Sequence, residues 1–175
     1  FPVPVWATAI RSFPLSPIPI YELDRSGGAR QASLNVKAAD VQLTGGKVTI
    51  QTSGGVVLTA LGSGYDPSYC TAVKADNQAL LNGSQVNITT TGIAGRGFSS
   101  DGNILIQSGS LSITSSGGGG TYTNELGVVD AYHGPCLNAD GDLVLSGGTI
   151  ILSHSGSGGK GISGDPQIVR IGDVW

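Results

Sequence analysis

Aspartate is the chemically active residue type with the most regular spacing in this chain. Asp76, Asp101, Asp140 and Asp165 follow one another at intervals of 25, 39 and 25 residues. Carboxylates and turn carbonyls form the hard oxygen cage that Ca²⁺ prefers, so the series is a candidate metal site. Aspartates in turns also satisfy backbone N–H groups and tolerate a left-handed backbone. Both interpretations, calcium binding and turn formation, remain open from the residues alone.

Tyrosines concentrate in two long segments between the more regular parts of the chain. Tyr65 and Tyr69 belong to YDPSYC, Tyr132 belongs to DAYHGPC, and Tyr122 precedes the latter. An aromatic ring with a hydroxyl at one end suits stacking on a sugar ring. The same rings could instead pack these segments onto the rest of the protein. We therefore take the four tyrosines as candidate carbohydrate-binding residues, with packing as the alternative.

Residue patterns that support catalysis are weak. Arg96 and Lys160 stand in matching GRG and GKG sequences, where a basic pair could act beside a metal or be solvated corner residues. His133 and His154 occupy different places in the pattern and suggest no metal pair. The GGGG run at 117–120 is not a phosphate-binding loop, because no Lys-Ser/Thr follows it. The sequence predicts a protein that is not an enzyme.

Composition narrows the function classes further. The chain has 29 glycines, 12% charged residues and a net charge of −3, and its nine basic residues do not cluster, which argues against nucleic-acid binding. No run approaches the ~18 apolar residues of a membrane span. The Ser/Thr/Gly-rich, Lys-poor character is typical of a secreted or cell-surface protein. Cys70 and Cys136 each end a long connecting segment, so they form either a disulfide or two buried thiols.

An internal repeat predicts the elements that position these residues. Four segments place apolar residues at the same offsets and close on a glycine. The aligned sets are Val41, Ala79, Ile104 and Leu143; Leu43, Leu81, Ile106 and Leu145; Val48, Val86, Leu111 and Ile150; Ile50, Ile88, Ile113 and Leu152; and Gly54, Gly92, Gly117 and Gly156. Each unit has two period-two strands, which bury their apolar side only when copies stack in parallel ~4.8 Å apart.

The repeat predicts an all-β, right-handed parallel β-helix (a β-solenoid) of about five coils, the last one truncated. Connections alternate between long (55–72, 118–136) and short (93–97, 157–161), so a pair of coils of 64 residues is duplicated. Both long connections then leave from the same corner. This arrangement predicts that their tyrosines lie on one side of the molecule.

Three stretches carry a resemblance to a known family: CTAVKADNQALLNGSQVNITTTG, GRGFSSDGNILIQSGSLSITSSGGGGTYT and CLNADGDLVLSGGTIILSHSGSGGKGIS. They resemble a bacterial carbohydrate-binding β-helix family, typified by a cellulose- and pectin-binding clostridial surface protein. The resemblance covers roughly residues 34–165. It implies a pectate-lyase-like fold that binds polysaccharide, with calcium and without clear turnover. Where relatives carry acidic pairs, this chain has Arg96 and Lys160.

The N-terminal part lies outside the repeat. Residues 1–33 hold five of the eight prolines and predict an extended apolar arm, and residues 34–175 form the solenoid domain. The arm either caps its own solenoid or adds to the edge of a neighbouring copy, which would build a filament. Candidate assembly residues are Phe1, Val3, Val5, Trp6, Ile10, Phe13 and Trp175. Two functions therefore follow: a self-assembling extracellular structural protein, or a monomeric polysaccharide-binding module assisted by calcium.

Overall fold

The computed structural model describes residues 36–164 and 170–171, and these residues are all-β without a helix. The arm with its candidate assembly residues, Trp175 and Asp165 lie outside the described residues. The strands are β1 (Val36–Thr44), β2 (Lys47–Thr52), β3 (Val57–Leu61), β4 (Gly64–Ser68), β5 (Thr71–Thr90), β6 (Arg96–Ser100), β7 (Asn103–Ser115), β8 (Gly120–Thr123), β9 (Val129–Tyr132), β10 (Leu137–Ala139), β11 (Leu143–Leu145), β12 (Thr149–His154), β13 (Ile162–Gly164) and β14 (Arg170–Ile171).

Ten of these strands form one nearly closed sheet in which every pairing is parallel. The path runs β13-β10-β6-β5-β7-β11-β14, with β1 and β2 on β5, and β12 on β7. Successive segments therefore stack on one another instead of folding back as hairpins. Parallel pairing between non-adjacent strands is what a stacked repeat requires, because each unit must return to the same edge in the same direction.

The strand register confirms the alignment expected from the sequence. Ala79 pairs with both Val41 and Ile104, and Ile104 pairs with Leu143. The other three apolar sets pair in the same way. Most of these side chains are buried, and the partly buried ones all stand in the first and last units: Leu43, Val48, Leu145, Ile150 and Leu152. The apolar ladders therefore form the core.

Close packing between units explains the glycine that ends each repeat. A Cβ on Gly92 would overlap the carbonyl oxygen of Gly54, and one on Gly117 would overlap that of Gly92. A Cβ on Gly156 would in turn overlap the carbonyl oxygen of Gly117. The backbones at this corner approach too closely for any side chain, which is why the second, third and fourth units end on glycine.

The two long connections are antiparallel hairpins, whereas the sequence predicted only loops there. β3 pairs with β4 and β8 pairs with β9, each as a separate two-stranded sheet. The first turn is two residues long and has Gly62 at a φ of +56°. In the second turn, Oδ1 of Asn124 accepts from the N–H groups of Leu126 and Val128 at 3.1 and 3.0 Å. Short turns of these types join antiparallel strands directly.

No helix within the described part of the chain has the length and apolar character needed to cross a membrane.

Candidate functional site

The two hairpins lie side by side at one corner of the parallel sheet. Tyr65 forms a parallel bridge with Asn124, and the N–H of Ser63 donates to the carbonyl of Glu125 at 2.9 Å. A Cβ on Gly64 would overlap the backbone of Asn124, so glycine is needed for this approach. The tip of one hairpin therefore rests on the turn of the other.

One face of the paired hairpins carries the tyrosines. Bridged residues lie on the same face, and side chains alternate along a strand, so Tyr65 shares a face with Asn124 and Tyr122. Asp130 is the partner of Tyr122, and Tyr132 is two residues further along the same strand. The predicted grouping of these aromatic side chains on one side is therefore observed. We call this surface the tyrosine face.

Side-chain contacts fix the two tyrosines that the second hairpin contributes to the tyrosine face, Tyr122 and Tyr132. The rings of Tyr122 and Tyr132 have centroids 6.2 Å apart and are tilted by 37°. The Tyr122 hydroxyl donates to Oδ2 of Asp130 at 3.3 Å. The pKa of Tyr122 is raised, mainly by desolvation and secondly by the charge of this carboxylate. Gly120 lies under the Tyr132 ring, since a Cβ there would be 2.6 Å from the hydroxyl oxygen. Glycine at this position therefore lets the ring lie flat across the strand.

Tyr69 has a different environment, at the base of the first hairpin. The guanidinium carbon of Arg96 lies 3.5 Å from the centre of its ring. Burial raises the pKa of Tyr69, and the charge of Arg96 opposes this increase. Arg96 covers one face of the ring, so Tyr69 anchors the hairpin to the sheet and offers only its other face to a ligand. Nε of Arg96 is buried without a hydrogen-bond partner.

The two basic residues singled out above, Arg96 and Lys160, lie in one column of the stack. Arg96, Pro135 and Lys160 occupy equivalent positions, because Phe98 pairs with Leu137 and Leu137 with Ile162. Arg96 and Lys160 are therefore two units apart, with Pro135 at the same position in the unit between them. Their matching GRG and GKG sequences predicted this equivalence. The pKa of His133 is lowered, mainly by desolvation and secondly by the positive charges of Lys160 and Arg96. These surroundings therefore favour the neutral form of the imidazole.

A groove of about 460 Å³ opens beside the tyrosine face. It is bounded by Tyr132, by Leu58 of the first hairpin and by two corner segments. Its lining residues are Ser53, Gly55, Val56, Leu58, Thr91, Gly92, Ile93 and Tyr132. None of these residues is charged, so the groove combines apolar surface with hydroxyl and backbone groups. Shallow surfaces of this composition suit uncharged, hydroxyl-rich ligands.

The aspartate series forms a column, as its spacing predicted. Ser100 pairs with both Ala75 and Ala139. The next residue in each of these three segments is an aspartate, so Asp76, Asp101 and Asp140 stack on one another. Asp76 forms an ion pair with Lys37 at 3.8 Å, and Asp101 forms one with Lys74. The carboxylate of Asp140 accepts from Asn138 at 3.1 Å.

These neighbours are lysine ammonium groups of adjacent units and, for Asp140, an amide group of its own unit. Across the residues that the structure describes, no group of three or more His, Cys, Asp or Glu side chains could hold a metal ion. The geometry of the column therefore favours turn formation and surface ion pairs, and calcium binding stays a prediction.

The candidate disulfide between Cys70 and Cys136 is not formed. The register places Cys136 level with Gly97 in the preceding unit and with Ala72 in the unit before that. Cys70 belongs to the same unit as Ala72, so two steps of the stack separate the cysteines. Two steps of the ~4.8 Å strand spacing exceed the ~7 Å limit between the Cα atoms of a disulfide. Cys136 is buried, its S–H donates to the carbonyl of Ser153 at 3.6 Å, and burial raises the pKa of its thiol.

Several residues of the site were not singled out from the sequence. They are Asp130, which orients Tyr122, and Leu58 and Ile93, which line the groove. The signal that could have found Asp130 is the alternation in TYT and VDAY, which is typical of a short hairpin. No signal marks Ile93, because its role depends on how the hairpin is placed over the corner.

Comparison with known proteins gives no relatives: no family model, curated protein or solved structure matches this chain.

Proposed function

We propose that this protein is a non-catalytic, secreted or cell-surface β-solenoid that binds polysaccharide through the tyrosine face and the adjoining groove. One observation carries the proposal: the Tyr65–Asn124 bridge joins the two hairpins so that their tyrosines share one face. Several rings presented together on one face offer a sugar chain more than one stacking position.

The chemistry of the surface suits a sugar chain. The apolar face of a pyranose stacks on an aromatic ring, and its hydroxyls need partners that can both donate and accept. Tyr65 is 44% exposed, and Tyr132 borders a groove whose walls include Ser53 and Thr91. Rings on a hairpin pair present such stacking surfaces at low entropic cost, since each has only two side-chain torsions.

The solenoid part of the proposal rests on the stacked parallel strands. Connections between parallel strands of one sheet are right-handed in almost all known cases, so we assign a right-handed parallel β-helix. The absence of catalysis is proposed because the basic residues nearest the face, Arg96 and Lys160, belong to units two steps apart. In the described residues no acidic group accompanies them as a metal site.

Affinity electrophoresis in gels that contain individual plant and microbial polysaccharides tests the binding function. We expect at least one polysaccharide to retard the protein, and Tyr65→Ala and Tyr132→Ala to reduce the retardation. Val129→Ala is the matched control, because Val129 is 72% exposed on the opposite face of the same hairpin. Equal losses in all three variants, or loss only on adding a calcium chelator, would contradict the assignment.

A second function, head-to-tail assembly, is favoured by a separate observation. Among the described residues, β1 and β2 pair only with β5, so their outer edges are open. Leu43 and Val48 at this end, and Leu152 at the other, are only partly buried. Stacked repeats need a cap at such ends, supplied by the same chain or by a neighbour. We propose that the N-terminal arm provides it.

A further inference from the structure

The outer edge of the first hairpin is a second place where strand pairing stops. β3 pairs with β4, and no other strand in the described ranges pairs with it. This edge is formed by the sequence Val-Leu-Thr-Ala-Leu. It is separate from the ends of the parallel stack, because the hairpin belongs to its own sheet.

The pairing partner of Leu58 shows which backbone groups point outward. Leu58 is opposite Pro67, which has no N–H, so this pair cannot exchange two hydrogen bonds. Antiparallel pairs alternate between hydrogen-bonded and non-hydrogen-bonded, so Thr59 bonds inward to β4. The N–H and C=O groups of Leu58 and Ala60 then face away from β4. Val56 follows this alternation, because its N–H donates away from β4 to Ile93 at 2.8 Å.

The side chains on this edge lack the usual protection against pairing. Edge strands commonly carry a charge, a proline or a bulge that prevents association. β3 has none of these, and its register with β4 is continuous. Val57 is 62% exposed and Leu61 is 53% exposed on the same side of the strand. The opposite edge of the hairpin pair, β9, contains the charged Asp130.

We propose that β3 pairs with β3 of a second copy of this chain, antiparallel and about a two-fold axis at Thr59. In this register the outward groups of Leu58 meet those of Ala60 of the second copy, which gives four backbone hydrogen bonds. Val57 lies opposite Leu61 of the second copy, so each exposed apolar side chain gains an apolar partner. Only Thr59 meets its own equivalent.

The strand is self-complementary, and this favours a second copy over an unrelated partner. It carries no charge, so a two-fold axis brings no like charges into opposition across the strand pair. The pairing also extends an existing arrangement, since β4 already contacts β8 of the neighbouring hairpin. The tyrosine faces of two copies would then form one surface. A contact of one short strand is small, so we expect weak, reversible dimers.

Disulfide trapping with single cysteine substitutions tests the pairing. Thr59→Cys places two thiols at a non-hydrogen-bonded pair with Cβ atoms ~4.5–5.5 Å apart, within reach of a disulfide. Val57→Cys is the matched control, since its two copies would be roughly 14 Å apart at ~3.4 Å per residue. Both variants and the unmodified chain retain Cys70 and Cys136, so the native thiols contribute equally.

The expected result is a covalent dimer for Thr59→Cys, formed at least ~10-fold faster than for Val57→Cys because only the first pair meets the distance limit. Equal rates, or no dimer of Thr59→Cys, would overturn the proposal. Sedimentation over a concentration series gives a second readout. Ala60→Pro removes an outward N–H without touching the bonds to β4, so it should abolish concentration-dependent dimers while circular dichroism is unchanged. Dimers that persist in Ala60→Pro would also overturn it.

Discussion

The guanidinium carbon of Arg96 lies 3.5 Å from the centre of the Tyr69 ring. Arg96 begins β6 of the parallel sheet, and Tyr69 follows the last strand of the first hairpin. The contact therefore joins the hairpin to the sheet at its base. A cation over an aromatic ring is favourable by about 0.5–2 kcal/mol, depending on how far both are removed from water.

Replacing Arg96 should loosen this junction. We expect Arg96→Ala to lower the free energy of unfolding by about 1 kcal/mol, from the lost cation–ring contact. The substitution should also raise the pKa of Tyr69 further, because in the unmodified chain the arginine charge opposes the effect of burial. Urea unfolding and ultraviolet titration of the tyrosines measure the two effects. Tyr69→Phe identifies the signal of Tyr69, and an Arg96→Ala titration identical to that of the unmodified chain would refute the contact.

His133 should make stability depend on pH in the mildly acidic range. Its pKa in the folded protein is below the ordinary value of 6.5, so the unfolded chain binds a proton first as the pH falls. Stability is therefore expected to decrease from about pH 6.5 down to the folded pKa. His133→Gln should reduce this slope in urea unfolding between pH 7.5 and 5. An unchanged slope would mean that the imidazole is not desolvated.

Glycine at the end of each unit should be essential to the stack. Gly117→Ala places a Cβ against the carbonyl of Gly92, and we expect a loss of about 3 kcal/mol or more, as for severe overpacking. Gly161→Ala is the control, because its nearest neighbour would be a side-chain atom of Leu152 at 4.0 Å. Thermal unfolding of both variants decides the matter: similar midpoints would show that the units are not closely packed at this corner.

Deletion of residues 1–20 tests the role of the N-terminal arm in assembly. We expect a soluble, β-rich protein that no longer associates, because the apolar ladders form a core without the arm. Static light scattering of both chains over a concentration series is the measurement. A truncated protein that unfolds, beside an intact chain that is monomeric at high concentration, would instead identify the arm as a cap of its own parallel stack.

The parallel sheet could be predicted because its signal is local and repeated. Val41, Ala79, Ile104 and Leu143 stand at one offset in four units, and each copy reinforces the same register. A shift by one residue would turn an entire apolar set to the outside, so only one alignment buries them all. The closing glycines gave a second, independent mark of the same register.

The site was predictable only in part. The sequence placed the tyrosines on one side, but the face they share depends on the Tyr65–Asn124 bridge between two hairpins. Each hairpin occurs once, so no repetition reveals its register. The choice left open for the cysteines, a disulfide or two thiols, has a related reason: the two residues end similar segments, yet two steps of the stack separate them and no disulfide forms.

The long and the short connections bridge the same gap. Eighteen residues separate Thr52 from Thr71, whereas five residues separate Thr90 from Arg96 in the next unit. The short turn fixes the ends of the long one, through bonds from Thr91 to Thr52 at 2.9 Å and from Arg96 to Cys70 at 2.8 Å. The stack thus constrains only where a connection departs and returns. Such corners are grafting positions, at which foreign peptides could be displayed while the underlying architecture is preserved.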